Sequence, residues 1–214
     1  MKKAHTIFSC LAMASLLCLS FIVTRAGTPQ SSQPTDLSRY SYRRVTNTAI
    51  ELYMNQWGAG YVHDTKNNAW LVIPTTPNIS IQPAYCKTSN TMALIYGGRG
   101  LFVYDSALYS ATNPGRAWVS NISDNGVGFY SFSRSATANY AAQLNDNMAM
   151  AAGTVWMAVY DRSLRRWINH QGSADDSTAS LSQYMVLTIN SARVKILNGP
   201  FCNHSFGATA WQCQ

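Results

Sequence analysis

The chain has 214 residues, a formal net charge of +7 and only 12% charged residues, against 47% hydrophobic and 12% aromatic. Glu51 is the only glutamate, a scarcity that argues against glycoside hydrolases and against toxins built on a catalytic glutamate. The basicity is diluted, and a dedicated nucleic-acid reader carries a denser stripe of cations.

The amino terminus reads as a cleaved secretory leader over residues 1–26. Lys2 and Lys3 precede an almost wholly apolar run from Ile7 to Val23, and Thr24-Arg25-Ala26 supplies small residues where a signal peptidase cuts. The expectation is a secreted or periplasmic protein with no membrane span after cleavage, because no other stretch reaches spanning length. Loss of Lys2, Lys3 and Arg25 lowers the formal charge from +7 to +4. The remaining cations cluster at Arg39/Arg43/Arg44 and Arg162/Arg165/Arg166. The mature chain, about 188 residues, suits one sizeable core.

Residues 27–38, rich in Pro, Ser and Gln, read as a flexible lead-in, and 39–214 as a single globular domain. A first helix is expected over about 46–57. Thr48 and Glu51 have capping-box spacing, Ala49, Tyr53 and Trp57 share a helical face, and Gly58 supplies a left-handed stop. Strands follow at 61–64 and 69–73 around the turn Thr65-Lys66-Asn67-Asn68, and at 91–96 and 101–105 around Gly97-Gly98-Arg99-Gly100. Another is read at 126–133. A second helix is expected over 138–152, where Tyr140, Leu144 and Met148 are spaced by four and Gly153 ends the run. Strands at 154–160 and 167–169, then 184–189 and 192–197, complete the chain. The fold class is therefore α+β, mainly antiparallel hairpins with two helices.

One local pattern recurs: strand, Asp at the turn, Trp on the return. It occurs as His63-Asp64 with Trp70, Tyr104-Asp105 with Trp118, and Tyr160-Asp161 with Trp167. The unequal spacings support three similar hairpins rather than the repeats of a propeller or trefoil.

Cys86, Cys202 and Cys213 outlast the leader, and export makes a disulfide the default. Cys202 and Cys213 are close enough in sequence to staple the carboxyl-terminal loop, Cys86 could pair with either, and one thiol is left over, buried or joined to another chain. No Cys/His spacing suggests a metal, and no cofactor fingerprint is present.

Aromatics give the strongest surface signal. Trp70, Trp118 and Trp167 lie beside Asp- and Asn-rich turns, where indole faces could stack on sugar rings while carboxylates such as Asp64 and Asp161 bond hydroxyls. The expected function is an exported, non-enzymatic binding protein of the adhesin, lectin or toxin-subunit type, contacting a glycan or a host or envelope protein. Its alternatives are a small metal-independent nuclease, with His63 and His170 as base and acid and Lys66 or Arg162 steadying the phosphorane, and a membrane-active protein. Asn78-Ile-Ser, Asn121-Ile-Ser and Asn203-His-Ser have the form of glycan acceptors.

Overall fold

A computed structural model describes residues 29–30, 33–74, 81, 83–97, 100–122, 142–152, 156–171, 186–190, 193–197 and 202–213. The leader expected at 1–26, the strand expected at 126–133 and Asn78 lie outside the described residues.

The α+β expectation is overturned. The described residues form four antiparallel sheets, and their only helical turns are short 3₁₀ segments of three or four residues. Sheet A holds β1 (Pro29–Gln30), β2 (Arg43–Val45), β3 (Ile50–Met54), β4 (Gly60–Asp64) and β5 (Ala69–Val72), in the order β1-β5-β4-β3-β2. Sheet B is the meander β6 (Lys87–Thr88), β7 (Met92–Gly97), β8 (Gly100–Asp105) and β9 (Trp118–Ile122). Sheet C runs through β10 (Ala142–Leu144), β11 (Met148–Ala152), β12 (Trp156–Asp161) and β13 (Arg166–Gln171). Sheet D runs through β14 (Val186–Ile189), β15 (Arg193–Leu197), β16 (Cys202–Ser205) and β17 (Gln212–Cys213).

Both predicted helices are strands for a physical reason. Over 46–57 a four-residue spacing competes with a two-residue one: Ile50, Leu52 and Met54 are fully buried on one face of β3, while Glu51 and Tyr53 occupy the other. Thr48 caps nothing; its hydroxyl bonds the Ile50 carbonyl and the Thr88 hydroxyl. Over the described part of 138–152, Asn145 breaks the run. Its side-chain oxygen accepts from the Asn147 and Met148 backbones at 2.8 Å each, a turn that folds β10 onto β11. Met148, Ala149, Met150 and Ala151 are buried on both faces of the sheet, and such a strand shows no alternation.

The sheets pack in series. β3 lies against β6 and β7, β7 against β11, and the first strands β6, β10 and β14 follow one another. Ile50, Leu52, Met54, Val62 and Leu71 of sheet A interleave with Ala93, Ile95, Phe102 and Tyr104 of sheet B, and Met92, Leu94 and Val103 of sheet B meet Ala149 and Tyr160 of sheet C. Successive four-stranded meanders stacked face to face are how consecutive blades of a β-propeller are built.

The three Asp–Trp hairpins are thus not independent. Each Asp ends the third strand of its sheet, and each Trp stands on the fourth strand in register with the residue before that Asp: His63 with Trp70, Tyr104 with Trp118, Tyr160 with Trp167. A fourth copy closes the series at His204-Ser205, whose imidazole meets Trp211 at 5.7 Å between ring centres. The hairpins are structural repeats; loops of unequal length between sheets had hidden the period.

Candidate functional site

The repeated aspartates work inside the protein. Asp64 accepts from the Lys66 and Asn67 backbones at 3.0 Å each and from the Tyr104 hydroxyl of the next sheet at 2.6 Å. Asp105 accepts from Ala107 N at 2.9 Å, from the Tyr160 hydroxyl at 2.9 Å and from Arg162 Nε at 3.1 Å. Asp161 accepts from the Ser163 backbone at 3.0 Å and, from sheet D, from His204 Nε2 at 3.0 Å and Gly207 N at 2.6 Å. Sheets A, B and C therefore each receive, on their turn aspartate, a donor from the sheet that follows. All three carboxylates are fully buried.

The paired tryptophans reinforce those junctions. Trp167 Nε1 donates to the Val119 carbonyl of sheet B at 3.1 Å, and Trp211 Nε1 to the Ile168 carbonyl of sheet C at 3.0 Å. Trp70 is only 5% exposed, stacked on His63 with ring centres 4.1 Å apart. Trp118 and Trp167 are half-buried, each edge-on to the tyrosine before its Asp. Of the expected ligand set, then, Asp64 and Asp161 face the next sheet, and Trp70 packs within its own.

The residues of the nuclease alternative are dispersed. His63 Nδ1 lies 2.7 Å from Glu51 Oε2 on sheet A, Lys66 sits in the 65–68 turn, and His170 stands on β13 of sheet C opposite Met157. Sheet B separates the two histidines. Arg162 is engaged by Asp105. Among the described residues no group of three or more His, Cys, Asp or Glu is placed to hold a metal ion.

Cys202 and Cys213 form a disulfide across the β16–β17 pair. Cys86 stays outside it, fully buried, its sulfur accepting from the Tyr96 backbone at 3.4 Å. Burial pushes its thiol up to about 12, and a thiol so placed meets another chain only if the fold opens. Asn121 is buried too, its amide bonded to Asn169 at 2.6 Å.

The accessible chemistry lies elsewhere, at the turn joining β3 to β4. Asn55 organises it: its side-chain oxygen accepts from Trp57 N at 2.9 Å and Ala59 N at 3.0 Å, and its own N–H donates to the Ala59 carbonyl at 2.9 Å. Gly58 takes a φ of +82°, and a Cβ there would fall 2.2 Å from the Cβ of Ile81, so only glycine fits. The residue expected to stop a helix is left-handed, but it closes a hairpin. Trp57 is thereby held on a fixed turn with 76% of its surface exposed.

Tyr42, 65% exposed, lines with Trp57 a groove of about 450 Å³ whose other walls are Arg39, Ser41, Asn55 and Gln56. Arg39 continues into a second depression of about 270 Å³ with Asp36, Tyr40 and Tyr61. There the guanidinium meets Asp36 Oδ2 at 3.1 Å and Tyr40 packs edge-on to Tyr61 at 5.1 Å. Hydrogen bonds from Ser38 hold the Asp36 carboxyl below its ordinary value. Helical spacing had assigned Trp57 to one face of a helix together with Ala49 and Tyr53. The signal that could have exposed it was Asn-Gln-Trp-Gly, an Asn and a Gly bracketing a turn.

No family model matches the chain, and no curated protein matches it by sequence. Among solved structures, Hsv2 of Kluyveromyces marxianus is similar over 78% of this chain and 46% of its own, at 7% identity and a TM-score of 0.43. The N-terminal domain of Nup159 is similar over 80% and 46%, at 9% identity and 0.38. Hsv2p of Kluyveromyces lactis is similar over 78% and 48%, at 5% identity and 0.38. This chain spans about half the length of each of them, and likenesses this weak carry no functional inference.

Proposed function

We propose that the protein is an exported, non-enzymatic binding module that takes a glycan in the groove between Tyr42 and Trp57. The observation that carries this reading is Trp57 itself. A large indole left in water is unfavourable, yet the fold spends a left-handed glycine and three Asn55 hydrogen bonds on fixing the turn that holds it there. Rigid, exposed aromatics are the anchors of binding surfaces, since little side-chain freedom remains to be lost when the ligand arrives. Their faces stack on the C–H faces of sugar rings, while Asn55, Gln56 and Arg39 supply donors and acceptors for hydroxyls. Export, read from the leader, puts this surface where extracellular glycans are met.

The test is a glycan array probed with the folded, oxidised protein, followed by titration of any hit. Trp57→Ala and Tyr42→Ala should each weaken binding by about tenfold or more, the loss of one aromatic stacking contact, and leave unfolding unchanged. Folded protein that binds no glycan, or a Trp57→Ala variant that binds as tightly as the parent, ends the proposal.

A further inference from the structure

Among the described carboxylates, Asp64, Asp105 and Asp161 serve the sheet junctions, Glu51 meets His63, and Asp146 ties the turn before β11 to Asn90 and Thr91. Asp36 differs: it is exposed and bonded only within its own loop. Its carboxylate is nevertheless fixed. Ser38 donates to Oδ1 from its backbone N–H, at 3.0 Å, and from its hydroxyl, and Arg39 Nε meets Oδ2 at 3.1 Å. An exposed pair of this kind adds little to stability. A carboxylate has about four acceptor positions and a guanidinium five N–H donors, so part of Oδ2 and the Nη groups of Arg39 remain for a ligand. The pair lies in the second depression with Tyr40 and Tyr61, which is rooted in sheet A. Tyr61 stands in register with Tyr53, and its ring meets Tyr40 at 5.1 Å and Trp70 at 6.5 Å. Arg39 lines this depression and the Tyr42–Trp57 groove alike, so the two adjoin across one side chain.

We propose that the groove and the depression are adjoining subsites for one neutral oligosaccharide of at least two rings, the second ring held by Asp36 and Arg39. This rests on the glycan reading of the groove and extends it from a ring to a chain. A ring seated against Trp57 and Tyr42 leaves the depression to the ring linked to it. There a fixed acceptor stands beside a fixed donor, which suits neighbouring hydroxyls, each able to donate and to accept. One donates to Asp36 Oδ2 and the next accepts from Arg39, both in charge-assisted hydrogen bonds. The preference for a neutral sugar follows from charge. Guanidinium and carboxylate cancel within the pair, and the bonds from Ser38 hold the Asp36 carboxyl below its ordinary value. It is therefore ionised at neutral pH and repels an acidic ring.

Titration calorimetry of the full, oxidised chain with glucose, mannose, galactose and N-acetylglucosamine, and with their linear oligomers of two to four units, tests it. In the series that binds, affinity should rise about tenfold from one ring to two. Asp36→Asn keeps the shape and removes the charge. It should return the oligomer to the affinity of the single ring, with the single ring and the unfolding midpoint unchanged. Oligomers of the matching uronic acids should bind more weakly than the neutral ones. Equal affinity for one ring and for four, full-strength oligomer binding by Asp36→Asn, or tighter binding of the uronic acids overturns the second subsite. Trp57→Ala would still weaken binding in each of those cases, so the groove itself would stand. Should no series bind, this extension falls, and the glycan array decides the groove separately.

Discussion

Sheets A and B are joined through Tyr104 and Asp64, and sheets C and D through His204 and Asp161, at the same position of the repeat. Around that shared contact the two junctions differ. Between A and B the main chain contributes as well: Ile50 N donates to the Ser89 carbonyl at 3.3 Å, Ala49 N to Asn90 Oδ1 at 3.1 Å, and the Thr48 and Thr88 hydroxyls meet at 2.8 Å. The Trp118 Nε1, by contrast, is buried there with no hydrogen-bond partner among the described residues. Between C and D two donors of sheet D, His204 Nε2 and Gly207 N, converge on the single oxygen Asp161 Oδ2. Its other oxygen holds the turn of its own strand through Ser163 and Leu164. Asp161 thus fixes the β12–β13 turn and concentrates two donors of sheet D on one oxygen, beside the Trp211 and Asn145 bonds that also cross this junction. The A–B junction instead spreads its bonds over several side chains and the main chain.

The largest expected effect follows from that concentration. Asp161→Ala removes the acceptor of five bonds and leaves a buried imidazole and a backbone N–H unpaired, a loss of about 3–5 kcal/mol. Amide hydrogen exchange should show protection falling first in β14–β16, with β3–β4 retained. Uniform loss across all four sheets would remove the distinction between the junctions.

A smaller pair of substitutions sharpens it. Tyr104→Phe takes from Asp64 the only described donor that reaches it from sheet B, at about 2 kcal/mol for a bond to a charged acceptor. Tyr160→Phe should cost about half as much, because Arg162 of the same sheet still grips Asp105. Urea denaturation of the two variants measures this. Equal costs would mean that Arg162 contributes nothing to the junction.

The Asp turns and Trp partners of this repeat were legible as a local pattern, because an Asp that binds its own turn and a Trp across a strand pair are nearest-neighbour physics. What the pattern did was not legible, since the donor to each Asp comes from 40 to 55 residues away. The fourth copy escaped because Ser205 replaces the Asp, and His63 at the other end lies beside Glu51 within its own sheet. The first helix reading failed where two periodicities overlapped, Ala49, Tyr53 and Trp57 against Ile50, Leu52 and Met54; the second failed at the Asn145 turn and on a strand buried on both faces, which has no alternation to read. The first of these errors hid the groove, because a helix face gave no reason to expect Trp57 on a turn with 76% of its surface exposed.

The last test uses pH to separate the junctions by the sign of their response. Burial raises the Asp161 carboxyl, but hydrogen bonds from Ser163, His204, Gly207 and Leu164 outweigh it and hold the group below its ordinary 3.8. The stability it supplies is complete above that value and is lost as pH falls through the lower folded one. Burial first, and then Asp64 for Tyr104 and Asp105 for Tyr160, push both hydroxyls far above their ordinary 10.0. Their contribution is complete below pH 10 and is lost as pH rises beyond it. Acid should therefore release sheet D, and alkali the A–B and B–C junctions. Asp161→Asn should flatten the acid limb of the stability profile alone, and Tyr104→Phe the alkaline limb alone. An acid limb unchanged by Asp161→Asn, or an alkaline limb unchanged by Tyr104→Phe, would mean that the group replaced does not carry that response.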